Sequence, residues 1–208
     1  MFLIGGGPSL RGFRWELLKE EMTIGCNTAF TLGTDVCKIC HFGDNKWFKV
    51  FEIELAGYAK KGGVVITSSP QLQGTRIPWL WVMGREAHGL SMTTLGWNGN
   101  TGASAINLAL LLGAGCIYLL GFDMKMTHKL SNWHNKVIDR KQVGPEVYPK
   151  FVKQFEAVAK DLPKKFPGRA VINVTADSDL NCFPKVDPAR FWAERGMVQM
   201  GFEKKEAV

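Results

Sequence analysis

The residues that could do chemistry start where the apolar run Phe2-Leu3-Ile4 breaks into Gly5-Gly6-Gly7-Pro8-Ser9. Glycine lets backbone N–H groups turn toward an anion and approach it with no Cβ in the way. A helix opening just beyond would add its positive end. A nucleotide phosphate suits that arrangement. The spacing is neither a Walker loop nor the dinucleotide G-x-G-x-x-G, since Pro8 and Ser9 occupy the later positions. A tight structural turn uses the same glycines, and both readings stand.

The second group is a polar stretch after Asp123. There Ser131-Asn132-Trp133-His134-Asn135 combines an aromatic ring, a base and amide donors, a mix suited to holding a sugar or a nucleobase. An imidazole with a pKa of about 6.5 can take a hydroxyl proton as that oxygen attacks an anomeric carbon. General base and solvent-exposed loop residue are the two readings of His134. His128 shares its loop, His88 falls in an irregular Trp-rich section, and His41 sits in a strand pattern as a structural residue. Asp123 closes an apolar run. It either binds Mg²⁺ with a diphosphate or, without metal, orients a hydroxyl or caps a loop. Asp44 carries the same ambiguity, with helix capping its ordinary role.

Cys37-Lys38-Ile39-Cys40-His41 matches the haem-attachment spacing, but its alternation is that of a strand, which sends Cys37 and Cys40 to opposite faces. No second C-x-x-C completes a zinc site. The five cysteines read as reduced, buried thiols.

Positioning these groups falls to alternating strand and helix signals. The spacing predicts helices over 13–21, 45–60 (capped by Asp44), 101–112, 145–165 and 187–195. Strands are predicted at 2–4, 22–26, 36–42, 64–67, 78–82, 116–120 and 170–174. The fold class is α/β: a single Rossmann-like domain over 1–208, with a mostly parallel sheet and helices on both faces. Residues 70–100 and 124–144 read as lid or insertion loops. In such sheets ligands bind beyond the carboxyl ends of the strands. That singles out Gly5 to Ser9, Asn27, Asp44, Asp123 and Thr175 to Ser178, although polar residues also end strands for no functional reason.

A net charge of +7 points to an anionic partner. The lysines and arginines are scattered in small knots without the block of a nucleic-acid arm, so a nucleic acid is left open as a partner but not singled out. No apolar stretch is long enough to span a bilayer and no secretory signal is visible, so the expected location is cytoplasmic. Trp79, Trp81 and Trp97 suggest an acceptor platform or a homo-oligomer contact.

Several of these segments together resemble the small bacterial sialyltransferases of the Campylobacter type, glycosyltransferase family 42-like. The resemblance rests on Phe2 to Leu10, Gly25-Cys26-Asn27, Thr101-Gly102 with its apolar helix, Ile117 to Met124, and Val171 to Leu180. About half of the chain is covered. The GGGPSL and GxDM segments are also similar to short phage proteins grouped with an MptE-like (DUF115-type) pterin pyrophosphokinase family, which would put the chain in a host cytoplasm. The first resemblance implies a CMP-sugar donor, inverting transfer to a hydroxyl-bearing acceptor without metal, a His base, and tyrosines that help the phosphate leave. It implies that Gly5, Gly6, Gly7, Pro8 and Ser9 face the phosphate and that Asn27 reaches phosphate or ribose. Thr101 and Gly102 would hold the donor, and Asn173, Thr175 and Ser178 would line the nucleotide pocket. Three departures stand out. Gly6 replaces a family Asn, Asn98 a family Arg, and no tyrosine closely follows Asp123.

Three functions compete on these grounds. One is a metal-independent glycosyltransferase with His134 and Asp123 at the reacting centre and no cofactor. Another is a Mg-dependent pyrophosphokinase-like enzyme using ATP, its metal held by Asp123 and Asp44. The last is a nucleotide-binding phage protein without catalysis.

Overall fold

In the computed structural model, which describes residues 1–127, 129–134 and 144–196, β1 (Phe2–Ile4) lies in the middle of the sheet. Its three residues are fully buried and alternate faces, so Phe2 and Ile4 enter one core layer and Leu3 the other. Five more elements follow on one side: β2 (Thr23–Cys26), β3 (Ile39–Phe42), α1 (Asn45–Lys60), β4 (Val64–Thr67) and β5 (Leu80–Val82). Two dipeptide strands, β6 (Arg85–Glu86) and β7 (Leu95–Gly96), pair with each other apart from the sheet. The chain then crosses over through α2 (Thr101–Leu111) to β8 (Cys116–Leu120), and through α3 (Tyr148–Lys165) to β9 (Ala170–Asn173). It continues into α4 (Pro188–Glu194).

The sheet has seven strands in the order β5-β4-β3-β2-β1-β8-β9, every pair parallel. Strand order reverses between β1 and β8, and the crevice at such a switch point is where open α/β sheets take their ligands. Helices cover both faces. α2 is almost wholly buried between the sheet and α3, with Ile106 and Leu108 meeting Leu3, Ile117 and Leu119. On the opposite face α1 packs Trp47, Phe51 and Leu55 over β3 and β4, and Trp192 of α4 stacks on Phe2 at 5.5 Å. The fold class expected from the sequence is the one observed. No helix among the described residues is long and apolar enough to cross a membrane.

Two local expectations are corrected. The helix predicted over 13–21 is replaced by short 3₁₀ turns at Pro8–Leu10 and Trp15–Leu18. Gly12, at φ +73°, turns the chain between them. Phe13 and Leu18 still reach the core, so the apolar spacing was a burial signal without a helix. Cys37 and Cys40 share one core cluster rather than opposite faces, because β3 begins only at Ile39. The Thr23 hydroxyl donates to Val36 O at 2.6 Å and accepts from Lys38 N at 2.9 Å, standing in for the ladder there. Burial pushes the Cys37 thiol up to about 12, where it holds its proton.

The 70–100 segment is pinned to the helices beneath it. The Asn107 side chain, fully buried in α2, accepts from Ser91 N and Gly96 N and donates to Ser91 O, each at 2.8 Å.

His41 is fully buried, with Nδ1 3.1 Å from Ile66 O and Nε2 3.0 Å from the Ser104 hydroxyl. The carbonyl only accepts, so Nδ1 carries the proton and Nε2 accepts from Ser104. Burial drives its pKa down to about 4 against the pull of the Ile66 carbonyl. The unfolded chain takes a proton near about 6.5, so it binds more protons than the folded chain between those values. Stability from His41 is therefore complete above about pH 6.5 and is lost as pH falls toward 4, by about 3 kcal/mol in all. Urea unfolding between neutral and mildly acid pH should show this loss. A His41→Asn protein should show a shallower dependence, and an unchanged one would contradict the assignment.

Candidate functional site

Above the switch point the ends of β1, β2, β3 and β8 and the start of α2 surround a cavity of about 630 Å³. Each strand delivers the residue that follows it: Gly5 to Gly7, Asn27, Asp44 and Gly121 to Lys125. Asp44 and Asn100 cap the two helices whose first turns face the space. Asp44 Oδ1 accepts from Lys46 N at 2.8 Å and Trp47 N at 3.4 Å, and Asn100 Oδ1 accepts from Gly102 N at 2.8 Å and Ala103 N at 3.2 Å.

The glycine run is shaped by its neighbour loop. Gly5 N donates to Leu120 O and Gly7 N to Gly121 O, both at 2.8 Å. A Cβ on Gly5 would lie 2.5 Å from Gly121 O, and one on Gly7 1.6 Å from Asp123 Oδ2. These glycines let two loops touch, and two of the three amides expected to face an anion are spent on that contact. Gly6 differs, since a Cβ there meets nothing within 4 Å.

Ser9 clamps Asp123, its amide on Oδ1 at 3.0 Å and its hydroxyl on Oδ2 at 2.8 Å. The carboxylate is 3% exposed. Burial raises its pKa above the ordinary carboxylate value, while the Ser9 donors act the other way.

His134 lines the cavity, and its neighbour holds it there. Trp133 donates its amide to Gly6 O and its indole N–H to Gly5 O, each at 3.0 Å. Its ring packs on Trp15 at 5.1 Å and edge-on against His134 at 5.1 Å. The 124–134 loop is thus tied to the glycine run it faces.

Two of the lining residues carry a buried polar atom with no hydrogen-bond partner among the described residues: Asn27 Oδ1, an acceptor, and Trp47 Nε1, a donor. Asn27 holds φ +51°, a conformation that asparagine tolerates better than most residues. Buried polar atoms are nearly always paired in folded proteins.

Solved structures similar in fold include sialyltransferases. The sialyltransferase CstII from Campylobacter jejuni with cytidine-5'-monophosphate superposes with a TM-score of 0.54 at 14% identity, over 89% of this chain and 84% of that one. Its complex with CMP-3FNeuAc gives 0.51 at 13% over 89% and 84%. Sialyltransferase CST-II bound to a trisaccharide acceptor and CMP gives 0.52 at 12% over 89% and 85%. At such identities the likeness is one of fold. No protein-family model matches the chain, and no curated protein matches it by sequence.

Of the residues singled out in the sequence, the structure brings Gly5, Gly6, Gly7, Asn27, Thr101, Gly102, Asp123 and His134 to this cavity. Pro8, Ser9, Asn173, Thr175 and Ser178 do not line it. Pro8 is buried at the start of a 3₁₀ turn. Ser178 fixes the floor from behind, donating to Phe122 O at 2.6 Å, while buried Asn173 Oδ1 accepts from Thr175 N at 3.1 Å. Asn98, where the resemblance led one to expect an Arg, is also structural: its side chain ties Gly89 to Gly96. His128 lies outside the described residues. Among those described, no group of three or more His, Cys, Asp or Glu side chains is arranged to hold a metal.

The tryptophans divide. Trp81 is 69% exposed on edge strand β5, Trp79 packs on Phe48, and Trp97 lies in the cavity wall against Gly43. Trp47 and Tyr148 are wall residues that the sequence did not single out. Burial, with the Asp123 carboxylate second, raises the Tyr148 phenol above its ordinary pKa and keeps it a donor. The only early sign of Tyr148 was its place at the head of an amphipathic helix.

Proposed function

We propose that this chain is a glycosyltransferase-like enzyme that takes a nucleotide-activated sugar, of the CMP-sugar type, and transfers it to a hydroxyl of an acceptor. The observation that carries the reading is the switch-point cavity itself, which brings the open face of Gly6, Asn27, the start of α2 and the His134 imidazole around one space. The likeness in fold to structures titled as sialyltransferase complexes with CMP supports the donor class.

In this reading the nucleotide lies over Gly6, Asn27 and the capped start of α2, with Thr101 and Gly102 beside its phosphate. His134 takes the acceptor proton as the hydroxyl attacks the anomeric carbon. Tyr148, held protonated, donates to the departing phosphate in place of the tyrosines missing after Asp123. Asp123 keeps the β8 loop against the glycine run through Ser9. Trp97, Gly99 and Asn100 on one side and Lys129 to Asn132 with His134 on the other form the cavity's rims.

Phosphoryl transfer with Mg²⁺ and ATP would draw on Asp44 and Asp123, which share the cavity. Their donor set fits a metal poorly, since Asp44 Oδ1 is given to two amides of α1 and both Asp123 oxygens are given to Ser9. Thermal shifts with CMP, UDP, GDP and ATP, in EDTA and in Mg²⁺, separate the readings. CMP at a hundredfold excess over its dissociation constant should raise Tm by about 5 °C or more in EDTA. CMP-sugar consumption should survive EDTA as well. A shift seen with ATP alone, and only in Mg²⁺, would reverse the assignment.

A further inference from the structure

Two lysines line the donor cavity, Lys125 and Lys129. Lys125 is already committed. Its Nζ donates to Asp177 Oδ1 at 2.5 Å and lies 3.6 Å from Asp179 Oδ1, so two carboxylates offset its charge before any ligand arrives. Lys129 differs. It is exposed, and its side chain makes no hydrogen bond or ion pair among the described residues.

The backbone that presents Lys129 is held against its preference. Thr127 and Leu130 exchange N–H···O bonds at 3.0 and 2.9 Å, closing a tight turn in which Lys129 stands at φ +62°. Glycine or asparagine is the ordinary occupant of such a turn, because a Cβ is crowded there. The turn runs straight into the wall of the site. Leu130, Ser131, Asn132 and His134 line the same space, and Trp133 N donates to Gly6 O at 3.0 Å.

The wall also lacks a cation that an anionic donor would need. Asp44 and Asp123 bring carboxylates to it, and Asn98 stands where the resemblance implies an Arg. We propose that Lys129 is the residue that pairs with the phosphate of the nucleotide donor, on the side where its loop crosses Gly6. The inference rests on the cavity being a nucleotide site and names the cation which that site uses. Lysine supplies there a mobile point charge, where arginine would bring a planar fork.

Calorimetry of the full-length protein with CMP, in EDTA, tests the assignment. Lys129→Gly removes the ammonium and relaxes the turn, so its Tm should hold or rise. CMP should nevertheless bind it about tenfold more weakly or worse, the usual loss for a hydrogen bond to a charged group. Lys129→Arg should recover most of that affinity. In about 0.5 M NaCl the gap between Lys129→Gly and the unaltered protein should narrow, since a solvent-exposed ion pair is screened. Unchanged CMP affinity in Lys129→Gly, a loss that Lys129→Arg does not repair, or a gap indifferent to salt would each overturn the role of Lys129 and leave the donor site standing. If the unaltered protein binds none of CMP, UDP, GDP and ATP, the donor reading itself fails and this inference falls with it.

Discussion

His134→Ala is expected to slow transfer by about 10²- to 10⁴-fold, the range that a positioned general base contributes, while CMP affinity changes less than about twofold. The expectation rests on how the imidazole is held. Trp133 is bonded to the glycine run through both its amide and its indole, and it packs on Trp15, so truncating the next side chain removes the base without releasing the loop. Steady-state kinetics with a CMP-sugar donor, alongside calorimetry with CMP, reads the two quantities separately. If activity persists in His134→Ala, the base lies elsewhere. If CMP affinity collapses instead, His134 is a binding residue.

The second large effect contrasts two adjacent glycines. Gly7 sits at φ −61°, which any L-residue can adopt, so Gly7→Ala tests space alone. The new methyl would meet Asp123 Oδ2 at 1.6 Å and Gly121 O at 2.6 Å, forcing apart the Ser9–Asp123 clamp. We expect a loss of about 3 kcal/mol, in the upper range for overpacking, or a fall of about 10 °C in Tm. Gly6→Val should leave Tm within about 2 °C, because nothing crowds that position. It should weaken CMP at least tenfold by filling space meant for the ligand. Equal Tm losses in the two proteins would show that Gly6 is structural as well.

The sheet was readable because each buried strand is a short apolar run closed by glycine or a polar residue, and parallel strands buried on both faces look like this. The Asp44 cap was readable for a local reason: a polar residue directly before a helical pattern. Failures came where a residue's partner is distant in sequence. Ser9 looked like a phosphate ligand, yet its partner Asp123 is 114 residues away. Asn107 gave no hint that it holds the segment crossing above it. The helix expected over 13–21 failed because amphipathic spacing reports which side chains are buried, and two 3₁₀ turns can bury the same ones. Trp47 and Tyr148 were not singled out in the sequence, and only the cavity distinguishes them from the rest of their helices.

The position of β1 also governs when the site can exist. Its amino-terminal neighbour Met1 is hydrogen-bonded to Cys116 O across 115 residues, and Ile4 pairs with both Gly25 and Leu120. A nascent chain can lay β1 beside β2 early, but its other edge stays open until β8 has been synthesised, on the order of ten seconds later at ordinary elongation rates. Through that interval the glycine run has no loop to grip and the ligand chamber lacks the wall that Gly121 to Lys125 supply. Ligand present during translation should therefore leave β2-side pairing untouched and act only once β8 has emerged.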